Sequence, residues 1–90
     1  MTLAHLSIDA QNPQHVAGIL ARIMDGDALP FTPCPDAFIA FDAADGGTAI
    51  EVYPQGTEVQ CGADQITFVQ GRSDARPVAT HVCLTSRLLK

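Results

Sequence analysis

Asn12 to Gly26 is a stretch that reads as a helix closed at both ends, in a chain that otherwise reads as strands and turns. Asn12 can cap the first turn, and Pro13 suits the first helical position, where its missing N–H would have no partner anyway. Val16, Ile19, Leu20, Ile23 and Met24 then recur at spacings of three and four, which gathers them on one stripe. Gly26 supplies the stop, because a helix end favours a left-handed residue. The pattern predicts one amphipathic helix over residues 13–25, and an apolar stripe of that kind must lie on a partner surface.

The partner surface is predicted to be a sheet. Leu3 to Ile8 alternates, with Leu6 and Ile8 pointing one way and His5, Ser7 and Asp9 the other. Pro30, Pro33 and Pro35 break regular structure after the helix, leaving Ala28–Thr32 as a short edge strand at most. Ala37–Phe41 and Thr48–Tyr53 read as the arms of a hairpin, with the turn at Asp45-Gly46-Gly47 and Pro54 as its end. Ile50 and Val52 share the face expected to meet the helix, while Ala49, Glu51 and Tyr53 share the other. Residues 55–64 read as a loop, Gln65–Val69 as a weak strand, and Gly71–Pro77 as a polar linker. Ala79–Leu84 reads as a last strand, with Thr80, Val82 and Leu84 on one side and His81 and Cys83 on the other; residues 86–90 form a tail. The expected class is α+β, a mixed sheet with one helix packed on it.

Ninety residues permit a single domain spanning 1–90. A chain of that size hides only about 60–65% of its unfolded surface, so the core is thin. The net charge of −5, with no basic run, argues against nucleic acid and anionic membranes, which both need a Lys/Arg footprint. No stretch approaches the ~20 apolar residues of a membrane span. Met1-Thr2-Leu3-Ala4-His5 lacks the charged lead of a secretory signal, so a cytoplasmic location is expected. Three cysteines, odd in number and without a C-x-x-C pair, fit a reducing compartment and no zinc knuckle.

The chemistry lies in faces rather than in a contiguous motif. His5, Glu51 and His81 each fall mid-strand on the face turned away from the helix. Imidazole and carboxylate are ligands for a divalent metal such as Zn, Fe, Mn or Ni. Two of them also have a plainer role: His5 as a polar group on a half-open face and Glu51 as a solvated edge charge. Tyr53, Phe38 and Phe41 are candidates to line a small-molecule cleft. Cys83 reads more simply as a small apolar residue, and Ser7 beside His5 lacks the G-x-S-x-G setting of a nucleophile. No catalytic residue is assigned.

The chain resembles the vicinal oxygen chelate superfamily, which holds the glyoxalases, bleomycin-resistance proteins and extradiol dioxygenases. The resemblance rests on Ala4-His5-Leu6-Ser7-Ile8-Asp9, on Asn12-Pro13 opening a helix that closes at Met24-Asp25-Gly26, on Phe38–Phe41 turning into Thr48–Pro54, and on Ala79-Thr80-His81-Val82. It implies a βαβββ module, normally used in pairs that wrap an open barrel around a metal. His5 and Glu51 match the ligand positions of a module's first and last strands, and His81 matches the first-strand ligand of a following module. That following module is not finished in this chain, so the resemblance implies a homodimer with one module from each copy. Three functions follow from it: a small-molecule binding protein of the bleomycin-resistance kind, a metal-dependent lyase or dioxygenase using His5 and Glu51, or a shortened dimerisation module without catalysis. The first is the expectation adopted, since the fourth ligand is missing.

Overall fold

The computed structural model describes residues 3–42, 47–72 and 78–84. The class is α+β, as expected. Strand β1 (His5–Ala10) leads into helix α1 (Pro13–Met24), followed by β2 (Asp27–Pro30), β3 (Phe38–Phe41) and β4 (Ala49–Pro54). These four strands form one mixed sheet in the order β1-β4-β3-β2, with β1 parallel to β4 and the other neighbours antiparallel. A two-stranded antiparallel sheet follows, made of β5 (Thr57–Cys61) and β6 (Ile66–Gln70).

The helix starts as its sequence dictates. The Asn12 side chain accepts from the His15 N–H at 3.2 Å, and Pro13 occupies the first turn. The end differs by one residue. Asp25, not Gly26, takes the left-handed conformation (φ 58°, ψ 42°) and closes the helix at Met24. Gly26 serves packing instead: a Cβ there would stand 1.9 Å from the Phe41 carbonyl oxygen. Only glycine lets the chain leave the helix so close to β3.

The buried stripe is also narrower than its large residues imply. Ala17 and Ala21 sit at its centre, with Val16, Leu20 and Met24 beside them, while Ile19 is largely exposed. Two alanines in line let the helix approach the sheet closely, and Ile50, Val52 and Ala40 fill the space beneath, Ile50 and Val52 almost wholly excluded from water. Leu6, Ile8 and Phe38 pack around them.

Two other expectations change. Residues 57–61 form a strand rather than a loop, paired with β6. Thr57-Glu58-Val59-Gln60-Cys61 lies mostly exposed, so no buried face imprints an apolar alternation on it. Residues 79–84 make no strand, although Val82 and Leu84 pack against the main core; the alternation identified which side chains turn inward without producing a ladder. The hairpin turn is held by Asp42 N–H to the Thr48 carbonyl at 3.1 Å, with Gly47 at φ 81°; the rest of that turn, like 73–77 and 86–90, lies outside the described residues.

Candidate functional site

One face of the four-stranded sheet is sealed by α1, and the other holds the polar cluster. The registers place Ser7 of β1 and Ile39 of β3 on either side of Glu51, with His5 beside Ala49 and Asp9 beside Tyr53. Period-two alternation turns all of these away from the helix, since Leu6, Ile8, Ile50 and Val52 point toward it.

Glu51 is the centre. It is 8% exposed, a buried carboxylate in a strand whose opposite face is core. Its Oε1 accepts the Tyr53 hydroxyl at 2.5 Å and the Ser7 hydroxyl at 3.1 Å. Its Oε2 lies 3.5 Å from His5 Nε2, and the His5 side chain is 56% exposed. A buried charge is tolerated only when hydrogen-bonded in this way, and no buried side-chain oxygen or nitrogen among the described residues lacks a partner.

Tyr53 is fixed from three sides. Phe31 meets it edge to face at 5.9 Å, Phe68 from β6 stacks on it at 5.1 Å, and its hydroxyl donates to Glu51. Burial first, and then the hydrogen bond to Glu51, push its phenol up to about 12 from 10.0, with Ser7 acting the other way. Cys34 and Ala37 complete this second apolar cluster, and burial together with nearby Asp36 raises the Cys34 thiol as well.

An open cleft of about 310 Å³ adjoins the cluster, with Ser7, Ile8 and Asp9 of β1 and Tyr53 on one side. Thr57 and Val59 of β5 and Val78 and Thr80 of the later segment form the other walls. The Asp9 carboxylate accepts the Gly56 N–H at 3.1 Å and so pins the start of the small hairpin; Gly56 there takes φ 87°. The lining thus joins an acid and hydroxyls to aliphatic groups, a mixture suited to a ligand with a polar end and an apolar body.

The sequence-derived candidates divide. His5, Glu51 and Tyr53 meet in one cluster. Phe38 does not: it is packed against the helix side, and Phe41, three residues on, falls on the opposite face beside Ala49. Positions i and i+3 of a strand cannot line the same cleft from one face. His81 stands apart from His5 and Glu51, exposed, with Nδ1 2.9 Å from the Ala79 carbonyl oxygen. The strand that would have turned it onto their face is not formed. Among the described residues no three His, Cys, Asp or Glu side chains converge as a metal site. Ser7, Asp9, Phe31 and Phe68 are the participants that sequence reasoning did not assign; for Ser7 and Asp9 the signal was their alternation with Leu6 and Ile8.

Comparison with known proteins brings no match: no family model, no curated protein and no solved structure matches this chain. Among the described residues, no helix is long and apolar enough to cross a membrane.

Proposed function

We propose that the chain is a small-molecule binding protein of the glyoxalase/bleomycin-resistance type, working as one of two copies, with its site at the Glu51 cluster and the adjoining cleft. The observation that carries this reading is Glu51 itself. A carboxylate buried in the middle of a strand, held by two hydroxyls and open on one side to His5 and solvent, is costly to a fold that would pack an apolar residue there more simply. The acidic chain and the Asp9 carboxylate in the lining favour a ligand with a positive group, and Val59 and Val78 favour an apolar body attached to it. Small alkyl- and arylamines are the ligand class.

Tyr53 is the single tyrosine and the chain has no tryptophan, so intrinsic tyrosine fluorescence reports on this site alone. Titration with butylamine and benzylamine is expected to give a saturable change that the corresponding alcohols do not give, and that Glu51→Gln abolishes. Equal responses to amine and alcohol, or none, would exclude the reading.

A second reading, a metal-dependent lyase or dioxygenase, is favoured by one observation, the 3.5 Å approach of His5 Nε2 to Glu51 Oε2. These two donors suit Zn or Ni, and a second copy would have to complete the set. A saturable Zn²⁺ titration followed at Tyr53, lost in His5→Ala, would promote this reading over the first.

A further inference from the structure

We infer that residues 78–84 act as a clasp: the segment rounds the sheet at β1, closes the cleft on one face, and is held from the other face by Val82 and Leu84. The inference rests on the cleft taken above as the ligand site, and it names what controls access to that cleft.

The segment divides between the two faces of the sheet. Val78 and Thr80 line the cleft together with Ser7, Asp9 and Tyr53. Val82 and Leu84 pack instead against the core between α1 and the sheet, in the same apolar layer as Leu6 and Ile8. β1 is a terminal strand of the sheet, so the chain passes from one face to the other around β1, between Thr80 and Val82. His81 stands at the crossing, exposed, with Nδ1 2.9 Å from the Ala79 carbonyl oxygen. The crossing explains why Thr80 and Val82, two residues apart, do not share a face as they would in a strand.

The two walls of the cleft are held by different means. The hairpin wall is fastened by hydrogen bonds: the Gly56 N–H donates to the Asp9 carboxylate at 3.1 Å, and the Thr57 hydroxyl to the Pro54 carbonyl at 2.6 Å. Phe68 adds its stack on Tyr53 at 5.1 Å. The wall made by Val78 and Thr80 has no such fastening. Among the described residues no hydrogen bond joins 78–84 to the rest of the chain. Val78 is 69% exposed, and within the segment only Val82 and Leu84 are half-buried. Two half-buried side chains must therefore offset the backbone entropy of the whole segment. Such a segment belongs to the parts of a fold that open without global unfolding. Opening withdraws Val78 and Thr80 from the cleft and leaves the hairpin wall in place. Val82 and Leu84 are thus positioning residues: they lie across the sheet from the ligand site, yet they set how much of the time the cleft is closed.

A nitroxide spin label on Cys83, the exposed thiol between the two anchors, follows the clasp without any ligand. Labelling uses the Cys61→Ser chain and a short exposure that leaves the buried Cys34 unreacted. Val82→Ala/Leu84→Ala is expected to shift the label from an immobile to a mobile spectrum while the circular dichroism of the fold is retained. In the unlabelled double variant, acrylamide quenching of Tyr53 rises, because Tyr53 lines the cleft that the clasp closes. Benzylamine, read at Tyr53, binds about tenfold more weakly, as follows when the closed form falls to about a tenth of the population. Val82→Ile/Leu84→Met keeps both anchors apolar and leaves all three readings at their wild-type values. A label equally mobile in the wild type and the double alanine variant overturns the clasp. A mobile label with unchanged Tyr53 quenching overturns it too, since the anchors would then be core packing alone, and so does an unchanged benzylamine Kd. A wild type that does not respond to benzylamine removes the amine reading alone, and the label and the quenching still judge the clasp. Should the double alanine variant not fold, Ala79→Gly/His81→Gly decides. Both residues are exposed, and glycine at both favours the open segment by about fivefold, read at the same label and by the same quenching.

Discussion

The two faces of β4 are both buried, and they are buried by different means. On the helix side Ile50 and Val52 are closed in by Ala17, Ala21 and Ala40, small side chains that admit no water and carry no polar group. On the other side Glu51 and Tyr53 are closed in by each other, by Ser7 and by two phenylalanine rings. The first face is held by area removed from water and by close packing. The second is held by a hydrogen-bonded charge, which contributes little net stability but fixes where each oxygen points. One strand therefore separates the apolar packing that keeps the chain folded from the polar cluster proposed to meet a ligand. Truncation on the helix side should be the most damaging. Ile50→Ala is expected to cost about 2–5 kcal/mol, through lost burial and a cavity between the two helix alanines and the sheet. Urea unfolding followed by circular dichroism measures it. A loss below about 1 kcal/mol would mean that this face is not the core.

The matching change on the other face should cost less. Glu51→Ala removes the acceptor of two hydroxyls and leaves the buried Tyr53 hydroxyl unpaired, a loss of about 1–3 kcal/mol. Glu51→Gln keeps one acceptor oxygen and should cost less again, while still abolishing the amine response. Stability and binding are then separable on this face and inseparable on the other. If Glu51→Gln destabilised as strongly as Ile50→Ala, the contrast between the faces would fail.

The division is visible in the sequence to different depths. Strict alternation in β1 and β4 assigned Leu6, Ile8, Ile50 and Val52 to one side and His5, Glu51 and Tyr53 to the other, because a strand buried on one face must alternate. The helix was legible through Asn12-Pro13, but its interface was not, because alanines carry little hydrophobic weight in a pattern and yet set the distance of closest approach. Phe38 and Phe41 were grouped by residue type when their spacing already separated them. β5 was missed because an exposed strand imprints no buried face on its residues. Residues 79–84 show the reverse: Val82 and Leu84 turn inward as the alternation requires, but backbone pairing needs a neighbouring edge, and periodicity carries no information about that. The meeting of Ser7 with Glu51, 44 positions apart, depends on the β1–β4 register, which follows from the whole sheet.

Titration sharpens the contrast without a large change in packing. The Tyr53 phenol is raised to about 12 in the fold, from 10.0. A raised acid favours the neutral folded form, so its contribution is complete below pH 10.0 and is lost between 10.0 and about 12, where the unfolded chain ionises first. With one tyrosine in the chain, phenolate absorbance follows this group directly. The midpoint is expected near 12 in the wild type and lower in Glu51→Gln, which removes a nearby negative charge. An ordinary midpoint in the folded wild type would show that the phenol is not held by Glu51.

The smallest effect is the one that tests whether Glu51 reaches beyond its own hydrogen bonds. Cys34 is buried in the same cluster as Tyr53, whereas Cys61 and Cys83 are exposed. Thiolate is the reactive form, and burial raises the Cys34 thiol. Labelling with a neutral disulfide reagent should therefore show two fast thiols and one slow one, with all three equal in urea. The slow rate reports local opening of the cluster. Tyr53→Phe keeps the ring between Phe31 and Phe68 and deletes only the hydroxyl that Glu51 accepts. If that bond braces the cluster, one net hydrogen bond of about 1 kcal/mol makes the Cys34 rate rise about fivefold, with the fast thiols unchanged. An unchanged slow rate would assign the bracing to ring packing alone and confine the influence of Glu51 to its own hydrogen bonds.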